Sequence, residues 1–228
     1  EDYSLEDLLF LDDEQADAPD LPAEAPTIAD EDGELFARFM ESNVRPQVQE
    51  GYSTVEVKVT QGDLDPDQFR GLATILRAYG ANRARTTHWQ NIVLRWIPAD
   101  SVYQVWRELR SLGLGNAGAY EINDVVSCPG TDSCKMGITS SMGLSRAIQS
   151  HVEEMNIQDP LTRQILINMS GCPNSCGMHH VGNIGFHGAA LKSDGRQVPA
   201  YHTFIGGNRR YGSKMRIAML LKTRVPAK

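Results

Sequence analysis

The sequence predicts an α+β chain in two parts, each part with its own sheet. Two observations carry this. From Ser53 to Gly113, stretches that alternate apolar and polar residues take turns with stretches of helical period. Beyond Gly118 the texture changes, and one arrangement, a strand followed by a Pro/Gly loop with two cysteines, occurs twice.

The chain has 228 residues and a net charge of −7, unevenly spread. Residues 1–34 hold 14 of the 29 acids and none of the 22 bases, which leaves 15 acids against 22 bases in the remainder. An acidic Pro/Ala-bearing lead buries too little apolar surface to fold alone. It reads as a linker or tail over residues 1–34, with a short docking element at LEDLLFL (residues 5–11). No run of 18 apolar residues is present, and EDYSLEDLLF has neither the basic start nor the apolar core of a signal peptide. The expectation is a cytoplasmic protein that spans no membrane and binds no nucleic acid. In that compartment paired cysteines point to metal rather than to disulfides.

The first part is expected over residues 35–118. LFARFMESNV is a short helix, and Ser53–Val59 (STVEVKV) is a strand with one buried face. Asp65 or Asp67 starts a helix that puts Phe69, Leu72, Ala73 and Leu76 on one side and stops at Gly80. Asn91–Ile97 is a second strand, and PADSVYQVWRELRSLG is a second helix ended by Gly113. This β-α-β-α order is half or more of a ferredoxin-like unit. In the second part, over 119–228, AYEINDVVS is a strand that runs into the first cysteine loop. SSMGLSRAIQSHVEEMN is a helix, and Arg163–Met169 is a strand feeding the second loop. HHVGNIGFHGAAL and AYHTFIGG read as later, Gly-rich strands.

All four cysteines lie in the two loops, as C-x5-C (Cys128, Cys134) and C-x3-C (Cys172, Cys176). Zinc knuckles favour C-x2-C or C-x4-C, so neither spacing suits a tetrahedral zinc site. A 4Fe–4S cluster also takes four thiolates and tolerates wider spacing, and N–H groups turned inward by Pro/Gly loops stabilise its sulfurs. Isolated buried cysteines belong in apolar elements rather than in such loops. A cluster leads, with zinc kept open.

CPGTDSCKMGIT, MSGCPNSCGMHH and FIGGNRRYG together resemble the siroheme/4Fe–4S nitrite/sulfite reductase family, and the stretch from NVRPQVQEGYS to NIVLRWI resembles the ferredoxin-like half-domain that precedes its cysteine-bearing unit. The resemblance implies that Cys128, Cys134, Cys172 and Cys176 bind the cluster. It further implies that Cys176 bridges one cluster iron to the siroheme iron, and that Asn174 fixes the loop or touches the macrocycle. Siroheme carries many carboxylates, so Gly206, Gly207, Asn208 and Arg209 are expected at it, with Arg210 and Lys214 as further donors. Arg83, Arg85 and His88 are weaker candidates. His179, His180, His187 and His202 are read as satisfied polar residues and left out.

The resemblance covers the second of the family's two half-modules. The expectation is therefore the cluster- and siroheme-binding half of an oxidoreductase that takes nitrite to ammonia or sulfite to sulfide with six electrons. Ferredoxin or a flavoprotein would be its donor. A first half-module or complementary chain would supply the distal anion site, and the chain would be truncated after LKTRVPAK. A siroheme-type monooxygenase of corrinoid synthesis, a haem-free 4Fe–4S electron-transfer module and a zinc-stabilised interaction domain are the alternatives.

Overall fold

The computed structural model describes residues 17–24, 26–210 and 212–227. The expected docking element at residues 5–11 lies outside them. The chain divides into two compact units, with the boundary between Ala119 and Tyr120.

The first unit is a four-stranded antiparallel sheet with helices. Its elements are α1 (Gly33–Asn43), β1 (Val44–Pro46), β2 (Tyr52–Val57), α2 (Pro66–Tyr79), β3 (Ala84–Thr86), β4 (Ile92–Pro98) and α3 (Val102–Ser111). The sheet order is β1-β2-β4-β3. Asp65 is the residue that starts α2. Its carboxylate accepts N–H bonds from Asp67 and Gln68, both at 2.8 Å, while the Gln68 side chain accepts from the Asp65 N–H at 3.1 Å. That reciprocal box, with Pro66 at the first helical position, fixes the helix start. Val55, Val57, Leu94 and Ile97 of the sheet pack with Leu72, Ile75, Val105, Trp106 and Leu109 of the helices and Phe36 and Phe39 of α1. The short strands β1 and β3 were not legible as strands in the sequence.

Part of the lead segment departs from the expected solvated linker. Asp32 is buried, accepts from the Tyr103 hydroxyl at 2.8 Å and pairs with Arg110 at 2.7 Å. The Tyr103 hydroxyl in turn accepts the Ala29 N–H at 3.0 Å. Further back, the Pro19 carbonyl accepts from the Tyr52 hydroxyl at 2.7 Å. Composition weighs apolar burial only; here a buried carboxylate with two directed partners holds the chain, and α1 starts at Gly33 instead of Leu35.

The second unit is a five-stranded mixed sheet in the order β5-β6-β7-β8-β9, from β5 (Val126–Ser127), β6 (Ile167–Ser170), β7 (Ile184–Ser193), β8 (Arg196–Ile205) and β9 (Met219–Pro226). β5, β6 and β7 run parallel, and β8 and β9 are antiparallel to their neighbours. Helices α4 (Ser141–Glu154) and α5 (Pro160–Arg163) make the crossover from β5 to β6 that parallel strands require. Leu144 and Ile148 of α4 cover Val125, Ile167 and Met169. β7 and β8 form a ten-pair hairpin closed by Asp194–Gly195, both with left-handed backbone, as a two-residue turn of this hand demands.

The strand expected over 119–127 shrinks to Val126–Ser127. The Asp124 carboxylate accepts the Tyr120 N–H at 2.8 Å, and the Asp124 N–H bonds the Glu121 carbonyl at 2.8 Å, so these residues turn. β7 likewise starts at Ile184 rather than at His179.

Because Asp32 satisfies a buried hydroxyl, Asp32→Ala should lower unfolding free energy by about 2 kcal/mol, read by urea denaturation against the parent chain. A change within error would mean that the Asp32 contacts contribute nothing to the first unit.

Candidate functional site

The site begins at the carboxyl edge of two adjacent parallel strands. β5 and β6 are in register through Val126↔Asn168 and Ser127↔Met169. Cys128 therefore leaves β5 beside the end of β6, and Cys172 follows two residues after Ser170. Open parallel sheets place ligands at this edge. The Cys128 N–H continues the ladder to the Met169 carbonyl at 3.2 Å.

The loops are then stitched together. The Gly171 N–H donates to the Cys128 sulfur at 3.1 Å, so the second loop bonds the first loop's thiol. The Gly171 carbonyl accepts from the N–H groups of Ile138 (2.8 Å) and Thr139 (3.1 Å), just past Cys134. The Ser141 hydroxyl, at the first residue of α4, donates to the Cys128 carbonyl at 2.7 Å and lies 3.4 Å from its sulfur. Glycines permit the approach. A Cβ on Gly171 would meet Gly130 and Thr139, one on Gly188 would meet the Gly171 carbonyl, and one on Gly177 would collide with the Met169 carbonyl oxygen.

All four cysteines are free thiols; Cys128 and Cys172 are buried, and Cys134 and Cys176 are exposed. Among the described residues no group of three or more His, Cys, Asp or Glu is arranged to hold a single metal ion. Four soft sulfur donors on two facing loops, one already accepting a backbone N–H, fit the chemistry of a wider 4Fe–4S cluster. Asn174 is exposed in the turn between Cys172 and Cys176.

The loop with Gly206, Gly207, Asn208 and Arg209 abuts this second cysteine loop. The Arg209 guanidinium donates to the Met178 sulfur at 3.1 Å. Burial pushes Arg209 down to about 10, against the opposing pull of Asp124, so it keeps its charge at neutral pH. The Asn183 side chain donates to the Gly207 carbonyl at 2.8 Å, and Asn208 exchanges backbone bonds with Arg216. The Asn208 amide donates to the Ser213 hydroxyl and the Lys214 carbonyl, both at 3.1 Å, so it braces its own loop. Arg210, expected as a ligand donor, instead bonds the carbonyls of Gln164 (2.6 Å) and Tyr120 (3.0 Å). Arg83, Arg85 and His88 lie in the other unit.

Sequence reasoning set aside four histidines that the structure gathers. His179 is fully buried, its ring 4.0 Å from that of His180 and 4.9 Å from that of His187, which lies 4.9 Å from His202. His179 Nδ1 bonds the Ser170 hydroxyl at 3.0 Å, while Nε2 has no hydrogen-bond partner among the described residues. Burial, with His180 and His187 alongside, pushes His179 down to about 3. The sequence signal was the His-His doublet three residues past the last cysteine.

The class defined by this fold and site is an α+β protein with four free cysteines on two bonded loops at a parallel sheet edge. Residues 45–112 match the nitrite/sulfite reductase ferredoxin-like half domain, and residues 118–227 match the nitrite and sulphite reductase 4Fe-4S domain. The chain belongs to the nitrite/sulfite reductase family. It is 32% identical over 188 residues to the chloroplastic ferredoxin–nitrite reductase of Zea mays, covering 81% of this chain and 32% of that protein. The ferredoxin–nitrite reductase of Synechococcus elongatus is 30% identical, over 86% of this chain and 36% of its own length. Sulfite reductase [ferredoxin] 1 of Mycolicibacterium paratuberculosis is 26% identical, over 71% and 30% respectively. The chain thus spans about a third of the length of these relatives. The solved structure of the Mycobacterium tuberculosis NirA protein shares the fold, with a TM-score of 0.67 at 22% identity over 81% of this chain and 34% of that one.

Two outcomes are expected. Gly177→Ala should disrupt the second loop and lower stability by about 2 kcal/mol or more, since backbone must move to admit the methyl; denaturation curves measure it. His179 titrates near 3 when folded and near 6.5 when unfolded, so below pH 6.5 the unfolded chain takes up a proton that the folded chain refuses. Stability should therefore fall as the pH drops from 6.5, by up to about 1.4 kcal/mol per pH unit. His179→Phe should flatten that slope between pH 6 and 5, seen by comparing the two chains.

Proposed function

We propose that this chain is the cluster- and siroheme-binding part of a nitrite or sulfite reductase, carrying out six-electron reduction of nitrite to ammonia or sulfite to sulfide. The observation that carries it is the interlock of the two cysteine loops through the Gly171 N–H and the Cys128 sulfur. Both substrates stay in the reading, because nitrite reductases match at 26% to 32% identity and the two mycobacterial sulfite reductases at 26% and 28%, within the same range.

Cys128, Cys134, Cys172 and Cys176 would hold the 4Fe–4S cluster, with the Gly171 N–H stabilising thiolate charge at Cys128. Cys176, one of the two exposed thiols, would be the ligand that also faces siroheme. Asn174, Gly206, Gly207, Asn208 and Arg209 would form one wall of the siroheme pocket. Gly206, with open space where a Cβ would sit, allows close backbone approach, and Arg209 brings a charged guanidinium beside Met178. When bound, the two groups supply one-electron carriage and an iron that takes the anion. What this chain contributes is fixed sulfur placement, anion-compatible donors and a buried, neutral His179.

The domain reading is a half-domain to residue 118, its start moved from 35 back to the packed Asp32 and Gly33, and a cofactor domain over 119–228, with the lead before them as a connector. Further cationic groups for the distal anion site would come from sequence outside this chain, which agrees with its covering a third of its relatives. The donor would be a ferredoxin, as those relatives' names state for them, and the compartment the cytoplasm. No helix among the described residues is long and apolar enough to cross a membrane.

Replacing Cys128, Cys134 or Cys172 by Ser should each reduce iron and acid-labile sulfide in anaerobically reconstituted protein at least several-fold, since serine is a hard donor. Parent-like iron and sulfide in all three would sink the cluster assignment. Nitrite and sulfite turnover with reduced ferredoxin, with and without the rest of the reductase supplied in trans, then separates the substrates.

A further inference from the structure

We infer that His179 and His180 are positioning residues that clamp the backbone on either side of Cys176; this rests on the proposal that Cys176 is a cluster ligand. Cys176 sits between Ser175 and Gly177, and each neighbour is tied to a different histidine. On one side the Ser175 hydroxyl bonds His180 Nδ1 at 2.7 Å. On the other, the Gly177 N–H donates to the Ser170 hydroxyl at 3.0 Å, and that hydroxyl bonds His179 Nδ1 at 3.0 Å. The Gly177 carbonyl accepts from the Asn168 amide at 2.8 Å, which closes the second side completely.

The Ser170 hydroxyl has one proton and two lone pairs, so with the Gly177 N–H accepted it bonds His179 Nδ1 in either neutral tautomer of the ring. Burial, which pushes His179 far below neutral, keeps the ring in a neutral form. The posts are themselves packed and bonded. Both rings pack on Phe204, at 5.0 Å and 5.5 Å, and the His180 carbonyl accepts the Ala218 N–H at 2.7 Å. The backbone between them needs holding, because Ser175 and Met178 both adopt left-handed φ, at 60° and 55°. A ligand thiolate fixed from both sides keeps its sulfur at one place as the cluster cycles between charge states.

The test compares anaerobically cluster-loaded chains carrying His179→Leu, His180→Leu, His179→Asn, His180→Asn, Ser175→Ala, Cys176→Ser and His202→Leu. A cluster that loses the iron under Cys176 becomes a three-iron centre, visible by electron paramagnetic resonance in oxidised protein, where the four-iron form is silent. Both leucine variants and Ser175→Ala should release iron several-fold faster than the parent and show the three-iron signal. Asparagine, whose amide can take the place of Nδ1, should restore retention, and His202→Leu, which removes a ring of the cluster but no bond to the loop, should match the parent. Leucine variants that hold iron like the parent, or asparagine variants that rescue nothing, overturn the clamp. If a leucine variant does not fold, Ser175→Ala, which removes only a hydroxyl from a half-buried turn, decides the His180 side, and Ser170→Ala, which removes the hydroxyl between His179 and Gly177, decides the His179 side by the same iron-release and resonance readouts. Cys176→Ser with parent-like iron overturns the ligand assignment itself. Cys176→Ser that loses iron while the other variants keep it overturns the clamp alone.

Discussion

The hydrogen bond from the Gly171 N–H to the Cys128 sulfur is the constraint on which the second unit depends. It exists only because β5 and β6 lie side by side and parallel, which delivers two loops far apart in sequence to one edge. Each other feature of the site serves that closeness. Gly130, Gly171, Gly177 and Gly188 leave no side chain between the loops, and α4 begins at Ser141, where a short side chain reaches the Cys128 carbonyl. A longer residue at any of these points would separate the loops and unseat the thiol together with the ladder bond beneath it.

What could be read from the sequence was set by locality. The α2 start at Asp65 depends on groups within three residues, and the two cysteine spacings are written directly in the chain. The strand-then-loop repeat pointed to the two loops, but not to how they engage. Ser141, Ser170, Gly171 and His179 act through partners many residues away or through packing, and nothing in a single sequence couples them. The shortened β5 has the opposite cause. Its residues suit a strand, but the Asp124 side chain captured a backbone N–H and turned the chain. In the lead, a charge count that treats every carboxylate as solvated overlooks Asp32, which is buried against Tyr103 and Arg110.

The two units also divide the physical work differently. The first has a broad aromatic and aliphatic core, with Phe36, Phe39 and Trp106 at its centre. The second has an apolar cluster around Val125, Ile167 and Met169 and adds buried polar bonds, from Ser141 to Cys128, from Asn168 to Gly177 and between Ser170 and His179. Directed bonds give a site of fixed geometry but tolerate little change, which suits an element that must present sulfur at defined points.

The Asp194–Gly195 turn has a practical consequence. It is exposed, Gly195 has open space around it, and ten paired residues on each side set the register of β7 and β8 independently of what the tip contains. A reporter group or affinity peptide grafted there would enter the molecule at a point where the chain already reverses and meets nothing. The hairpin thus offers an attachment point for surface immobilisation or optical labelling that leaves all four thiols untouched.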